Sequence, residues 1–173
     1  MQLPDSPRPR ARGAAVVDFF FLLRRSEYLA DGTKVKPYII RGNDVQFNSA
    51  QGEPTHSIKT ASAVTIKFRG SKSDQVGAGA ARTLHRSGSA WLCQVLATWE
   101  LAQHARSFGN NKALCATGTG KVLAANRLTE ASKAAAAAAG ADPSSFGTHS
   151  MRSGGATALF AAGVDRFTIK LFG

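Results

Sequence analysis

Thr148-His149-Ser150-Met151-Arg152-Ser153-Gly154-Gly155-Ala156-Thr157 is the stretch on which the reading of this chain turns. Thr148 stands where a helix N-cap belongs, and Ser150 to Ala162 carry a helical pattern that Gly163 stops. His149 and Arg152 are three apart, so they share a face of the first turn. Backbone amides at a helix N-terminus favour an anion. An imidazole, a guanidinium and those amides therefore point toward one place, a good seat for a phosphate. Gly154-Gly155 strips side chains from the following turn, which lets another backbone come close. Taken alone, a His-x-x-Arg pair has no specificity, because a capped helix with a surface arginine is spelled the same way. The rest of the chain decides between the two.

Working outward, 173 residues suit one domain, and 43% hydrophobic residues are enough for a core. The charge is lopsided: 22 Lys and Arg against 11 Asp and Glu leave a formal net charge of +11. That balance points to a polyanionic partner, nucleic acid before an anionic membrane surface. Cys93 and Cys115 cannot build a zinc site by themselves, no CxxC occurs, and so sparse a cysteine content fits a reducing compartment. No stretch is long and apolar enough to span a membrane. The apolar run Ala14 to Leu23 is broken by Asp18 and followed, not preceded, by Arg24-Arg25, the reverse of a signal peptide.

The fold class predicted is α+β, mostly helical with a small antiparallel sheet. Residues 1–12, rich in Pro and Arg, read as a basic disordered arm, and 13–173 as the domain. Helical spacing predicts helices over Gly13–Ala30, Ala90–Ala105, Val122–Ala139 and Ser150–Ala162, with another starting at Asp165. In the second, Trp91, Val95, Trp99 and Ala102 form one stripe. Extended pieces are expected at Pro37–Ile40 and Val45–Phe47 around the turn Gly42-Asn43-Asp44. Ala63–Arg69 alternates as a strand, and Gly70 to Asp74 reads as a hairpin tip or loop.

Two nucleotide motifs fail on inspection. Gly118-Thr119-Gly120-Lys121 lacks the earlier Gly of a P-loop, because position 115 is Cys, and Val122 stands where Ser or Thr is needed. Gly77-Ala78-Gly79 has Arg82 where a dinucleotide loop needs its third Gly. His56, His85 and His104 show no metal-binding spacing.

The wider string Phe146-Gly147-Thr148-His149 through Gly163-Val164 resembles the second signature box of tyrosine recombinases, the phage-integrase family, and especially the integrase-like enzymes of eukaryotic tyrosine-recombinase mobile elements. There, His-x-x-Arg is followed by small residues, an Ala-rich helix and a Gly-Val turn. The segment Leu22-Leu23-Arg24-Arg25-Ser26-Glu27-Tyr28-Leu29 resembles the first box, with Arg24 as the first catalytic arginine, Glu27 as its structural glutamate and Arg25 as the competing candidate. Between the boxes the family carries a hairpin lysine. Lys72 fits that place, with Lys67 on the preceding strand as the fallback.

The resemblance implies DNA breaking and rejoining, for recombination or integration, through a 3′-phosphotyrosyl link. It implies catalytic roles for Arg24, Lys72, His149 and Arg152. The two arginines and Lys72 would hold the phosphate, His149 would assist proton transfer, and Lys72 would protonate the leaving 5′-oxygen. It implies double-stranded DNA as partner, a tetramer on DNA as the family's assembly, a nuclear location in a eukaryotic host, and neither metal nor cofactor. Residues 153–173 contain no His, Trp or Tyr, and the tyrosines Tyr28 and Tyr38 lie beside the first box. The expectation is therefore a partial catalytic domain that binds DNA and lacks its nucleophile. The alternative is a non-enzymatic basic DNA- or RNA-binding module, in which binding follows total charge rather than single arginines.

Overall fold

Pro7 opens the first helix, α1 (Pro7–Phe21), in a computed structural model that describes residues 7–70 and 79–172. The expected disordered arm is thus helical from Pro7 to Arg12, and only its first six residues lie outside the described ones. The physical reason is positional. Proline costs nothing in a first helical turn, where its missing N–H has no intrahelical partner. Arg and Ala then propagate the helix, and Ala11, Ala14, Val17 and Phe21 bury one stripe of it.

The same helix ends earlier than its periodicity predicts. Leu22 takes a left-handed backbone, φ +51°, and the Leu23 N–H returns to the Asp18 carbonyl at 3.3 Å. This is a Schellman-type stop, normally built on glycine. Leu22 is buried, and its packing holds a conformation that leucine ordinarily avoids. The chain turns here, and a short helix α2 (Arg25–Tyr28) follows.

A three-stranded antiparallel sheet comes next, in the order β1 (Val45–Asn48), β2 (Ala63–Phe68), β3 (Ala80–His85). Val45 pairs with Ile66 and Phe47 with Val64, which puts the apolar residues of β1 and β2 on one buried face. Pro37–Ile40 forms no strand; Ile40 instead bonds by its backbone to Glu27 and Leu114. β3 was not expected, because Ala80-Ala81-Arg82-Thr83-Leu84-His85 puts an arginine where a core-facing alternation needs an apolar residue. Register identifies it: Phe68 pairs with Ala80, Ile66 with Arg82, and Val64 with Leu84.

Helix α3 (Gln94–Ser107) packs on α1, with Val95, Thr98, Leu101, Ala102 and Ala105 buried. It starts at Gln94 rather than Ala90, so Trp91 leaves the predicted stripe and is 70% exposed. Trp99 packs edge-on against Phe47, with ring centroids 4.8 Å apart. Helix α4 (Ala125–Ala138) also begins later than expected. Backbone bonds from Ala30 to Leu123 and from Ala125 to Ala30 hold the preceding segment extended. Helices α5 (Thr148–Ala161) and α6 (Arg166–Phe172) complete the chain, and α5 lies along α1. Thr148 is the first helical residue and not the cap; Gly147 caps, its N–H donating to Ser150 Oγ at 2.9 Å.

Six helices and this one sheet, counted among the described residues, make the fold α+β. Among those residues no helix is long and apolar enough to cross a membrane.

Candidate functional site

The turn that stops α1 also delivers Arg24. Its N–H donates to Glu27 Oε2 at 2.7 Å, while the Glu27 N–H returns to the Arg24 carbonyl at 2.8 Å. Glu27 is buried, so this reciprocal pair fixes the start of α2 from inside the protein.

Opposite stands the first turn of α5. Gly155 lets it approach: a Cβ there would overlap the Phe19 carbonyl oxygen and lie 2.7 Å from Leu22 Cδ2. The close approach expected at the Gly154-Gly155 pair is therefore real, and it falls on the last turn of α1. Its effect is to bring the two predicted boxes together. Leu23, Arg24, Arg25, Thr148, His149 and Arg152 line one open pocket of about 470 Å³.

The electrostatics beneath the pocket are unusual. Arg152 is half-buried; burial and then the neighbouring Arg24 charge pull its pKa below the ordinary arginine value, against the attraction of Glu27 and Asp18. The Arg24 and Arg152 charges repel each other, and an oxyanion seated between them would offset that repulsion. Below lies Asp18, wholly buried, accepting the Tyr28 hydroxyl at 2.5 Å. Burial raises the Asp18 carboxyl to about 7, against the lowering effects of the Tyr28 hydrogen bond and of Arg152. Tyr28 is itself pushed up by burial, then by the Asp18 charge and by its hydrogen bond to Asp18, so it is a protonated phenol at neutral pH.

The other sequence-predicted residues divide. Arg25 lines the pocket but is exposed, and its Nη2 bonds Asp31 Oδ2 at 3.1 Å. Lys72 lies outside the described residues. Lys67 is exposed and pairs with Ala81, on the sheet face opposite the inward-facing Ile66 and Phe68, so it does not join the pocket. Tyr38 donates to Ser26 Oγ at 3.2 Å. Asp18, Tyr28 as its partner, and Arg82 were not anticipated. A signal for Asp18 existed: it is the single charge inside the apolar run Ala14 to Leu23, and an acid on a core helix needs a partner. Arg82 gave no signal until its strand was paired.

Among the described residues no group of three His, Cys, Asp or Glu side chains could hold a metal ion. The arrangement suits binding of an oxyanion by guanidinium forks and an imidazole. No family model, no curated protein and no solved structure is similar enough to this chain to count as a match, so the reading of the pocket rests on its own residues.

Proposed function

We propose that this chain binds double-stranded DNA by seating a backbone phosphate between Arg24, His149 and Arg152, as a catalytic domain of the tyrosine recombinase type. One observation carries the reading. Residues from the two boxes, near opposite ends of the chain, line a single pocket that holds the guanidinium groups of Arg24 and Arg152 and the imidazole of His149. A phosphodiester answers that chemistry, because each guanidinium can grip two oxygens and neither loses its charge. His149 adds a donor from the helix turn that carries Arg152.

In this proposal neither Tyr28 nor Tyr38 acts as a nucleophile: Tyr28 is buried against Asp18, and Tyr38 bonds Ser26. The same resemblance carries assembly as a tetramer on DNA and, in a eukaryotic host, a nuclear location.

Fluorescence anisotropy with a labelled duplex tests the reading. Arg24→Ala and Arg152→Ala are each expected to weaken binding about tenfold or more, and each lost phosphate contact lowers the salt slope by about one. A nicked suicide duplex is expected to form no covalent adduct, and a phosphotyrosyl link at Tyr28 or Tyr38 would overturn the non-cleaving part. The net charge of +11 supports a second reading, a basic module that binds nucleic acid through its whole surface. In that case Lys59→Ala and Lys133→Ala, on exposed positions outside the pocket, would weaken binding as much as the two arginine variants.

A further inference from the structure

A cation at an inward strand position has to be held by something, because such positions select apolar side chains. Arg82 is that cation. Its register partner is Ile66, and Ala80 and Leu84 share its face of β3. The guanidinium lies over the Phe68 ring, 4.4 Å from the centroid, with the Phe172 ring 5.8 Å away. Its Nη1 donates to the Phe21 carbonyl at 2.7 Å.

That carbonyl closes α1. It is one of the last four of the helix, which have no partner within the helix and form the negative end of its dipole. A half-buried cation bonded there satisfies the acceptor and favours the field. The next residue is Leu22 in its left-handed turn, and Arg24 follows two residues later. Arg82 therefore ties the sheet to the one turn that aims Arg24. It does not line the pocket. Its charge still reaches it: burial lowers the pKa of Arg82, Glu27 opposes that, and Arg152 and Arg24 add to it.

We propose that Arg82 is a positioning residue, which clamps the carboxyl-terminal turn of α1 so that Arg24 faces Arg152 across the pocket. It acts through Arg24 and not on the ligand. The inference rests on the reading of this pocket as a phosphate seat, and the test separates the two.

The variant Arg82→Met keeps an apolar stem and removes the donor. Amide hydrogen exchange of Leu23 and Arg24 is expected to accelerate about tenfold or more, while Val95 and Leu101 in α3 keep their protection. Duplex affinity is expected to fall about tenfold in the wild-type background and to change less than about threefold when Arg24 is already Ala, the non-additivity of two residues acting as one. Arg82→Lys, which can still reach the Phe21 carbonyl as a charged donor, should recover most of both losses. Should the methionine variant fail to fold, Arg82→Gln read the same way decides. Unchanged exchange at Leu23 and Arg24, or additive losses in the double variant, would overturn the positioning role. Accelerated exchange in a chain that binds no duplex keeps Arg82 as the clamp and removes the phosphate reading. A duplex affinity sensitive to Arg24 but indifferent to Arg82 does the reverse.

Discussion

Asp18 has no exposure to water; its Oδ2 accepts from the Tyr28 hydroxyl, and its second oxygen, Oδ1, is buried without a hydrogen-bond partner. Burial disfavours the charged form of this carboxyl more than its hydrogen bond and Arg152 favour it, which is why its pKa rises to about 7. The folded value thus stands above the unfolded one, near 3.9. Asp18 then contributes stability that is complete below about pH 4 and is lost as pH rises through about 7. Asp18→Asn keeps an acceptor for Tyr28 and cannot ionise. Urea denaturation from pH 4 to 8 should show the wild type losing stability relative to this variant by a few kcal/mol, at about 1.4 kcal/mol per pH unit. Parallel curves for the two proteins would disprove the buried neutral acid. The same ionisation places a negative charge under Arg152 at the alkaline end, so duplex binding should be less pH-sensitive in Asp18→Asn.

At the scale of elements, the pocket is a product of how α5 lies on α1, and the adjacent glycines Gly154 and Gly155 divide the work unequally. A Cβ at Gly154 would meet only the Phe19 ring, at 3.5 Å, an ordinary contact. One at Gly155 would collide with backbone. Gly154→Ala is therefore expected to be neutral or to stabilise by up to about 1 kcal/mol through helix propensity. Gly155→Ala should destabilise by about 1–3 kcal/mol and part the two arginines. Thermal melts of the pair, with duplex affinity alongside, check both; equal effects would mean that the helices are not in backbone contact.

What the sequence disclosed at this scale follows the strength of its periodicities. Ala63–Phe68 alternates cleanly and is a strand; the middles of α3, α4 and α5 stand where the spacing put them. Boundaries failed where the deciding interaction is tertiary. Leu22 stops α1 without a glycine because its buried side chain compensates for a left-handed backbone. Ala30 pairs with Leu123 and Ala125, which delays α4. β3 hides because its inward arginine serves a carbonyl on another helix. The predicted pocket residues Arg24, His149 and Arg152 were legible by residue type and spacing, and the fold brings them to one pocket. The buried acid beneath them and the clamp behind them belong to contacts that no local pattern encodes.

The molecule as a whole sets two forces against each other. Phe160, Phe167 and Leu171 face solvent at 59, 77 and 74% exposure, beside a groove of about 520 Å³ between α5 and α6. Apolar surface of this kind favours association, while a net charge of +11 keeps copies apart. Salt screens the repulsion and leaves the apolar attraction. Sedimentation should therefore show self-association growing with salt, and Phe167→Lys with Leu171→Lys should remove it with little change in the urea midpoint. The proposed duplex binding should run the other way, weakening as salt rises, so one salt series would separate the two surfaces.

The contact of Gly155 with Phe19 also has a consequence in time. Arg24 and Arg152 are about 130 residues apart, and at the roughly 5–20 residues per second of protein synthesis the second emerges on the order of ten seconds after the first. Until then the last turn of α1 has no α5 to receive it. The pocket thus forms only after α5 has been made, long after the turn that carries Arg24.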